Sequence, residues 1–171
     1  MSHRKQGSEE RPDLLAEHPW GDVGQIVLAA LFLAIWTADT FFLRYTTFIN
    51  AQVPSDLRIA IGIVNVLVAV YLAIASHRVL LGRTRDEPQL IREGVFGIVR
   101  HPMYLSEILL SLGVLLFSLS LAAAGVWILM IAFLHVIAQY EERQLLAHFG
   151  EEYRDYKSEV SMWLPTVRSR Q

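Results

Sequence analysis

Between Tyr104 and Glu141 run about 36 residues with a single charged side chain, Glu107. Few folds accept such a stretch. Within lipid, every backbone amide and carbonyl must find its partner inside the segment. The stretch is long enough for two apolar runs, 104–119 and 121–140, divided only by Ser118, Ser120 and Gly125. No charge marks the division, so the two runs form a tight helical hairpin whose tip lies at or inside the far membrane interface. Charge, imidazole and phenol gather at the other end of both runs. Arg100-His101-Pro102-Met103-Tyr104 leads into the first, and Glu141-Glu142 leaves the second on the way to Phe149-Gly150-Glu151-Glu152-Tyr153. Such groups at lipid-embedded helix mouths are costly and point to function.

Two more apolar runs precede the hairpin, at 23–43 and 57–81. At a rise of about 1.5 Å per residue, the first reaches about 30 Å, one bilayer core, and the second leaves room for tilt. Asn50-Ala51-Gln52-Val53-Pro54-Ser55-Asp56 reads as the short loop between them, with Ser or Asp capping the second helix. Hydrophobic residues make up 53% of the chain and charged ones 19%, and the charges avoid all four runs. The expected fold is therefore an all-α integral membrane protein of about four transmembrane helices, with a cytoplasmic helical tail. It divides into a polar N-terminal tail (1–21), two transmembrane helices (22–82), and a linker, hairpin and tail (83–171). The net charge of -2 and the lack of a basic stripe give no nucleic-acid signal. The absence of cysteine excludes disulfides, thiolate nucleophiles and cysteine-bound metals.

Arginine and lysine orient the bundle. Arg78, Arg83, Arg85, Arg92 and Arg100 lie on the linker, and Arg143, Arg154, Lys157, Arg168 and Arg170 near the C-terminus, against Arg44 and Arg58 on the other side. Both termini are thus expected in the cytoplasm, in a membrane read as the inner membrane of a prokaryote. Glu141 and Glu142 would oppose the helix dipole if the fourth helix stopped at the surface. Continuation to Phe149, with Gly150 as the terminating residue, removes that conflict. Glu151 and Glu152 then suit the first turn of an amphipathic helix carrying Tyr153, Tyr156 and Val160, with Trp163 and Leu164 returning to the interface.

Pro102 suits the first turn of the third helix and leaves His101 on an extended approach, so Arg100, His101 and Tyr104 converge near a helix N-terminus. The same residues would also serve as a headgroup anchor. On the fourth helix His135, Gln139 and Glu142 share one face and Glu141 the next. A solvated helix mouth is the alternative there, and no metal motif is present. Asp39 is expected to pair with Arg44, Asn65 to bridge helices, and Glu107 to line a cytoplasmic cavity.

Residues 93–165 resemble the membrane methyltransferases that include isoprenylcysteine carboxyl methyltransferase and the phospholipid methyltransferases. The resemblance rests on Gly94-Val95-Phe96-Gly97-Ile98-Val99-Arg100-His101-Pro102-Met103-Tyr104, on Glu141-Glu142, and on His148-Phe149-Gly150-Glu151-Glu152-Tyr153-Arg154-Asp155-Tyr156, in matching order and spacing. It implies a cytoplasm-facing pocket for S-adenosylmethionine, with S-adenosylhomocysteine as product. His101, Pro102, Tyr104 and Glu141 would contact the cofactor, and Gln89, Leu90, Ile91 and Phe96 would wrap its adenosyl group. One departure is Ile137, which stands where isoprenylcysteine enzymes place a substrate-binding arginine and so argues against a prenylcysteine carboxylate.

The chemistry suits these side chains. A carboxylate such as Glu141 accepts both ribose hydroxyls, and Arg100 would pair with the cofactor's carboxylate. Methyl transfer chiefly needs positioning, with Glu107, Glu142 or His135 as candidate bases for a weak nucleophile. The acceptor is lipophilic and enters from the bilayer: a carboxylate on a prenylated or lipid-like molecule, a phospholipid amine, or a small hydrophobic thiol. The alternative is a non-enzymatic four-helix protein, an assembly factor or small-solute permease.

Overall fold

A computed structural model describes residues 20–81 and 89–165. The charged N-terminal tail, Arg83 and Arg85 of the linker, and Arg168 and Arg170 lie outside the described residues. Those described are helical, with no strand among them. Helix α1, Gly21–Thr37, runs on into a π-helical stretch, Ala38–Leu43, which ends at Arg44 in left-handed backbone (φ 54). After a short 3-10 turn at Phe48–Ala51 comes α2, Ser55–Leu81. A second 3-10 turn, Gly94–Gly97, leads to α3, Pro102–Leu116, followed by α4, Leu121–Phe149, and α5, Glu151–Glu159.

Three helical stretches, Gly21–Leu43, Ser55–Leu81 and Leu121–Phe149, are long and apolar enough to cross a membrane. Unlike those of a water-soluble protein, these helices are apolar on their outer faces as well as inside. Ile26, Val27, Ile63, Val64, Leu67 and Tyr71 face outward, while Phe32, Leu115, Met130 and Leu134 pack inside. Helix α3 is shorter: 15 residues span about 22 Å, less than a bilayer core of about 30 Å.

The pairing of helices departs from a simple hairpin. Only Phe117, Ser118, Leu119 and Ser120 separate α3 from α4, so the connection is as tight as the sequence predicts. Yet α3 lies backbone-to-backbone on α2, and α1 on α4. The reason is two glycines. A Cβ on Gly62 would meet the Gly113 carbonyl at 3.0 Å, and one on Gly113 would meet Val66 at 2.7 Å. Small residues let backbones approach where lipid offers no hydrophobic drive. Helices α3 and α4 touch instead through long side chains: Trp127 donates to the Ile108 carbonyl (3.0 Å), and Ser111 meets the Met130 sulfur.

At the turn end of the bundle, Asp39 is buried and accepts from the Thr46 amide, the Thr46 hydroxyl and Ser120 (2.6 Å). The expected partner Arg44 contributes only its backbone amide, to the Asp39 carbonyl. Hydroxyls displace the guanidinium because Ser120, the N-cap of α4, already points there. Arg58 donates to Asn50 (2.7 Å) and to the Phe117 carbonyl (2.8 Å), capping the otherwise orphaned end of α3. Asn65 donates within its own helix, to the Ile61 carbonyl, and so does not bridge helices.

The opposite end follows the sequence closely. Helix α4 continues to Phe149 and stops at Gly150 (φ 55), where α5 begins. Tyr153, Tyr156 and Val160 form a second small core with Leu90, Leu145, Leu146 and Phe149.

Candidate active site

Pro102 at the first turn of α3 holds His101 outside the helix (φ -121, ψ 63), where its side chain is buried. The imidazole stacks on Tyr104, ring centres 5.7 Å apart and planes within 7°. Across from them, on α4, the Tyr104 hydroxyl donates to Glu141. His101 Nδ1 lies 3.6 Å from the Glu141 carboxylate, and Nε2 lies 3.4 Å from that of Glu142. One imidazole therefore stands between two consecutive acids.

Those two acids have different surroundings because successive helix residues point about 100° apart. Glu142 turns toward α5. Arg100 reaches it through both Nε and Nη2 at 2.7 Å, and Lys157 through Nζ at 2.8 Å. The Arg100 Nη1 group donates to the Val160 and Lys157 carbonyls, and the Arg100 amide to the Ser161 carbonyl (3.0 Å). This hub ties α5 and the following strap to the start of α3. Tyr156 adds a bond to the Phe96 carbonyl (2.7 Å), and Arg92 lies over the Tyr156 ring. Burial pushes the Tyr156 phenol up to about 12, and the Tyr153 phenol is raised further by burial and by the neighbouring Glu142 charge.

Glu141 turns the other way, into a cavity of about 400 Å³, within the usual range for small-molecule sites, about 300–1,000 Å³. Phe96, Arg100, His101, Pro102, Tyr104, Glu107 and Glu141 line it, all of them expected from the sequence. Met103 and Ser106 join them from α3, Gly21, Asp22 and Gln25 from α1, and Ala73 and His77 from α2. These last were not legible as site residues. The available signal was positional: Asp22 in the first turn of α1 and His77 near the end of α2 are polar groups at the same helix mouths as His101 and Glu141.

Other expected site residues lie outside the cavity lining. Glu142 is held in the Arg100–Lys157 hub. His135 accepts from the Trp163 indole (3.2 Å) and bonds Gln139 (2.9 Å), one turn along its own helix. Leu90 packs beneath α5, and Gln89 and Ile91 flank it before the turn that carries Phe96.

A family model described as phospholipid methyltransferase matches residues 52–152, more than half of the chain. The chain belongs to the phospholipid methyltransferase family. Among curated proteins of similar sequence, methanethiol S-methyltransferase of Mycobacterium tuberculosis is 41% identical over 74 residues, 39% of this chain and 27% of that protein. Methanethiol S-methyltransferase 1 of Bradyrhizobium diazoefficiens is 35% identical over 103 residues, 56% of this chain and 32% of that protein. Protein-S-isoprenylcysteine O-methyltransferase of Mus musculus is 30% identical over 93 residues, 54% of this chain and 33% of that protein. The chain spans about a third of the length of the curated relatives it matches. No solved structure matches it. As a phospholipid methyltransferase family member, it places every residue of the Arg100–Tyr104 motif, and both glutamates, inside the matched region; Asp22 and Gln25 fall outside it.

Proposed function

We propose that this protein is an integral membrane methyltransferase that takes S-adenosylmethionine from the cytoplasm and a lipophilic acceptor from the bilayer. The observation that carries the reading is the cavity that gathers Phe96, His101, Tyr104, Glu107 and Glu141 at one end of the bundle. The donor set suits the cofactor. Glu141 supplies a carboxylate for hydroxyl groups, Phe96 and the His101–Tyr104 stack supply flat apolar surface, and the acidic lining favours a cation. When bound, the cofactor supplies an electrophilic methyl group on a sulfonium. The protein's own part is to orient and to exclude water: His101 and Tyr104 hold Glu141 in place, and Phe96 is fixed through Tyr156. Orientation of this kind is worth several kcal/mol, up to about 7–11.

In this reading α3 counts as the fourth transmembrane segment, with the cavity and both termini on the cytoplasmic side, as the arginine distribution favours. Lateral entry for the acceptor has a structural counterpart. Both α1 and α2 line the cavity, yet they make at most sparse contact with each other, because each is paired elsewhere. We therefore assign the acceptor's path to the boundary between α1 and α2. The permease alternative finds no support in the polar groups it needs, since Asp39 is closed off by Thr46 and Ser120, and Asn65 by its own helix.

The test is titration of the purified protein in detergent with S-adenosylhomocysteine. Saturable binding is expected. A folded sample that shows none at any accessible concentration overturns the reading.

A further inference from the structure

The segment that follows α5 is held at two points of α4, His135 and Glu142, which lie about two turns apart on one face. At Glu142 the hold is ionic, through Lys157 and through Arg100, whose Nη1 group donates to the Val160 and Lys157 carbonyls. At His135 it is a hydrogen bond from the Trp163 indole to Nδ1, 3.2 Å long. His101 meets both points. Its Nε2 lies 3.4 Å from Glu142, and its ring centre lies 6.0 Å from that of Trp163, with the planes at 40°. Tyr104 stacks on the same imidazole. Trp163 and His135 are both half-buried, and neither lines the cavity. Their route to it runs through His101, which does.

The indole bond fixes the state of His135. An indole N–H only donates, so Nδ1 must offer its lone pair. The proton of the neutral ring is then on Nε2, 2.9 Å from the Gln139 amide, which accepts it on oxygen when that amide is turned end for end. Both ring nitrogens are committed, and no lone pair is left for a general base while Trp163 is in place. We propose that His135 and Trp163 are positioning residues of the cofactor site: His135 holds the indole, and the indole holds the His101 ring in the wall that His101, Tyr104 and Glu141 present to the cavity. This deepens, and rests on, the methyltransferase reading, and it takes His135 out of the candidate bases. A ring fixed before the ligand arrives need not be ordered during binding, so the pair shows in cofactor affinity.

The full-length protein in detergent is titrated with S-adenosylhomocysteine by calorimetry. A folded wild-type protein that binds none defeats the methyltransferase reading itself. In the binding-competent protein, Trp163→Phe keeps a ring and loses the N–H, whereas His135→Leu keeps bulk and loses the acceptor. Each should weaken binding about fivefold, the worth of one hydrogen bond. The double variant should lose about as much as either single one, because both remove the same bond. His135→Asn, whose side-chain oxygen can stand near the place of Nδ1, should stay within about twofold of wild type. Glu142 still holds the segment in every variant, so all should fold, as their melting temperatures will show. The deciding arm repeats Trp163→Phe in a His101→Ala background, read by dialysis against labelled ligand. There it should cost less than about twofold, since the imidazole it acts through is gone. Unchanged affinity in both single variants, failure of His135→Asn to restore it, or a full loss from Trp163→Phe in the absence of His101 overturns the proposal.

Discussion

Arg100 and Glu142 meet through two guanidinium nitrogens at 2.7 Å, both side chains more than nine-tenths buried, and join the start of α3 to the last turns of α4. Removing one partner of such a pair leaves the other charge buried and uncompensated, at a cost of about 3–5 kcal/mol. Glu142→Gln and Arg100→Met should each lower thermal stability in detergent strongly, and the double variant should lose clearly less than the sum of the two. Additive losses would show that the pair is not the joint between α5 and the bundle.

Cofactor affinity should separate the two glutamates. Glu141→Ala and His101→Ala are expected to weaken S-adenosylhomocysteine binding at least tenfold, since each removes part of the stacked and hydrogen-bonded wall. Tyr104→Phe keeps the ring and loses the hydroxyl on Glu141, so a smaller loss, about 1 kcal/mol, is expected. Asp39→Asn, at the turn end of the bundle, should leave affinity unchanged while lowering stability. Equal effects from all of these in an isothermal titration would remove the site from this end of the molecule.

Much of this arrangement was legible in the sequence where a residue carries backbone meaning. Pro102 and Gly150 mark a helix start and a helix end, and their positions delivered α3, the long α4 and α5. Helix pairing was not legible, because Gly62 and Gly113 are single glycines in apolar runs, and neither announces the other. The contrast between Glu141 and Glu142 was equally hidden, since their roles depend on where α5 brings Lys157 and the Val160 carbonyl. The α1 wall was invisible for a different reason. Asp22 and Gln25 belong to no motif, and only the packing of α1 on α4 brings them to the cavity.

That packing logic predicts the effect of filling the α2–α3 seam. A leucine at Gly113 cannot coexist with Val66 and the Gly62 carbonyl at their present distances. Gly113→Leu should force the helices apart and destabilise the protein by several kcal/mol, with overpacking alone worth about 1–3. Gly125→Ala is the control, because a Cβ there meets nothing within 4 Å. The readout is the melting temperature of each variant in the same detergent.

The buried phenols of α5 set an alkaline limit. An unfolded tyrosine loses its proton near pH 10, whereas Tyr156 holds its own to about 12 and Tyr153 is also shifted upward. Above about pH 10 the unfolded state therefore binds fewer protons than the native one, and stability falls as pH rises toward about 12. Below pH 10 these two groups contribute no slope. Tyrosinate absorbance should show part of the six-tyrosine signal titrating late, together with loss of Trp163 fluorescence structure as α5 detaches. Tyr156→Phe should remove its share of the slope, at the cost of the bond to the Phe96 carbonyl. Full titration of all six phenols near pH 10 in a folded sample would contradict the packing of α5.

The boundary between α1 and α2 gives the sharpest separation of cofactor from acceptor. Ala73 lines the cavity from α2 and Gln25 from α1, two helices that make at most sparse contact with each other. A tryptophan at position 73 adds its bulk from α2, whereas His101, Tyr104 and Glu141 line the cavity from the start of α3 and from α4. If the acceptor enters between α1 and α2 and the soluble cofactor does not, as proposed, Ala73→Trp should raise KM for a lipophilic acceptor about tenfold or more while S-adenosylhomocysteine affinity stays within about twofold. Helix α2 faces outward at neighbouring Ile74 and Tyr71, so the larger ring has lipid to turn into and folding should survive. If acceptor KM is unchanged in the variant, the acceptor does not pass between α1 and α2. If cofactor affinity falls in parallel, the two ligands share one entrance, and the division of the cavity into a motif wall and a lipid-facing wall is wrong.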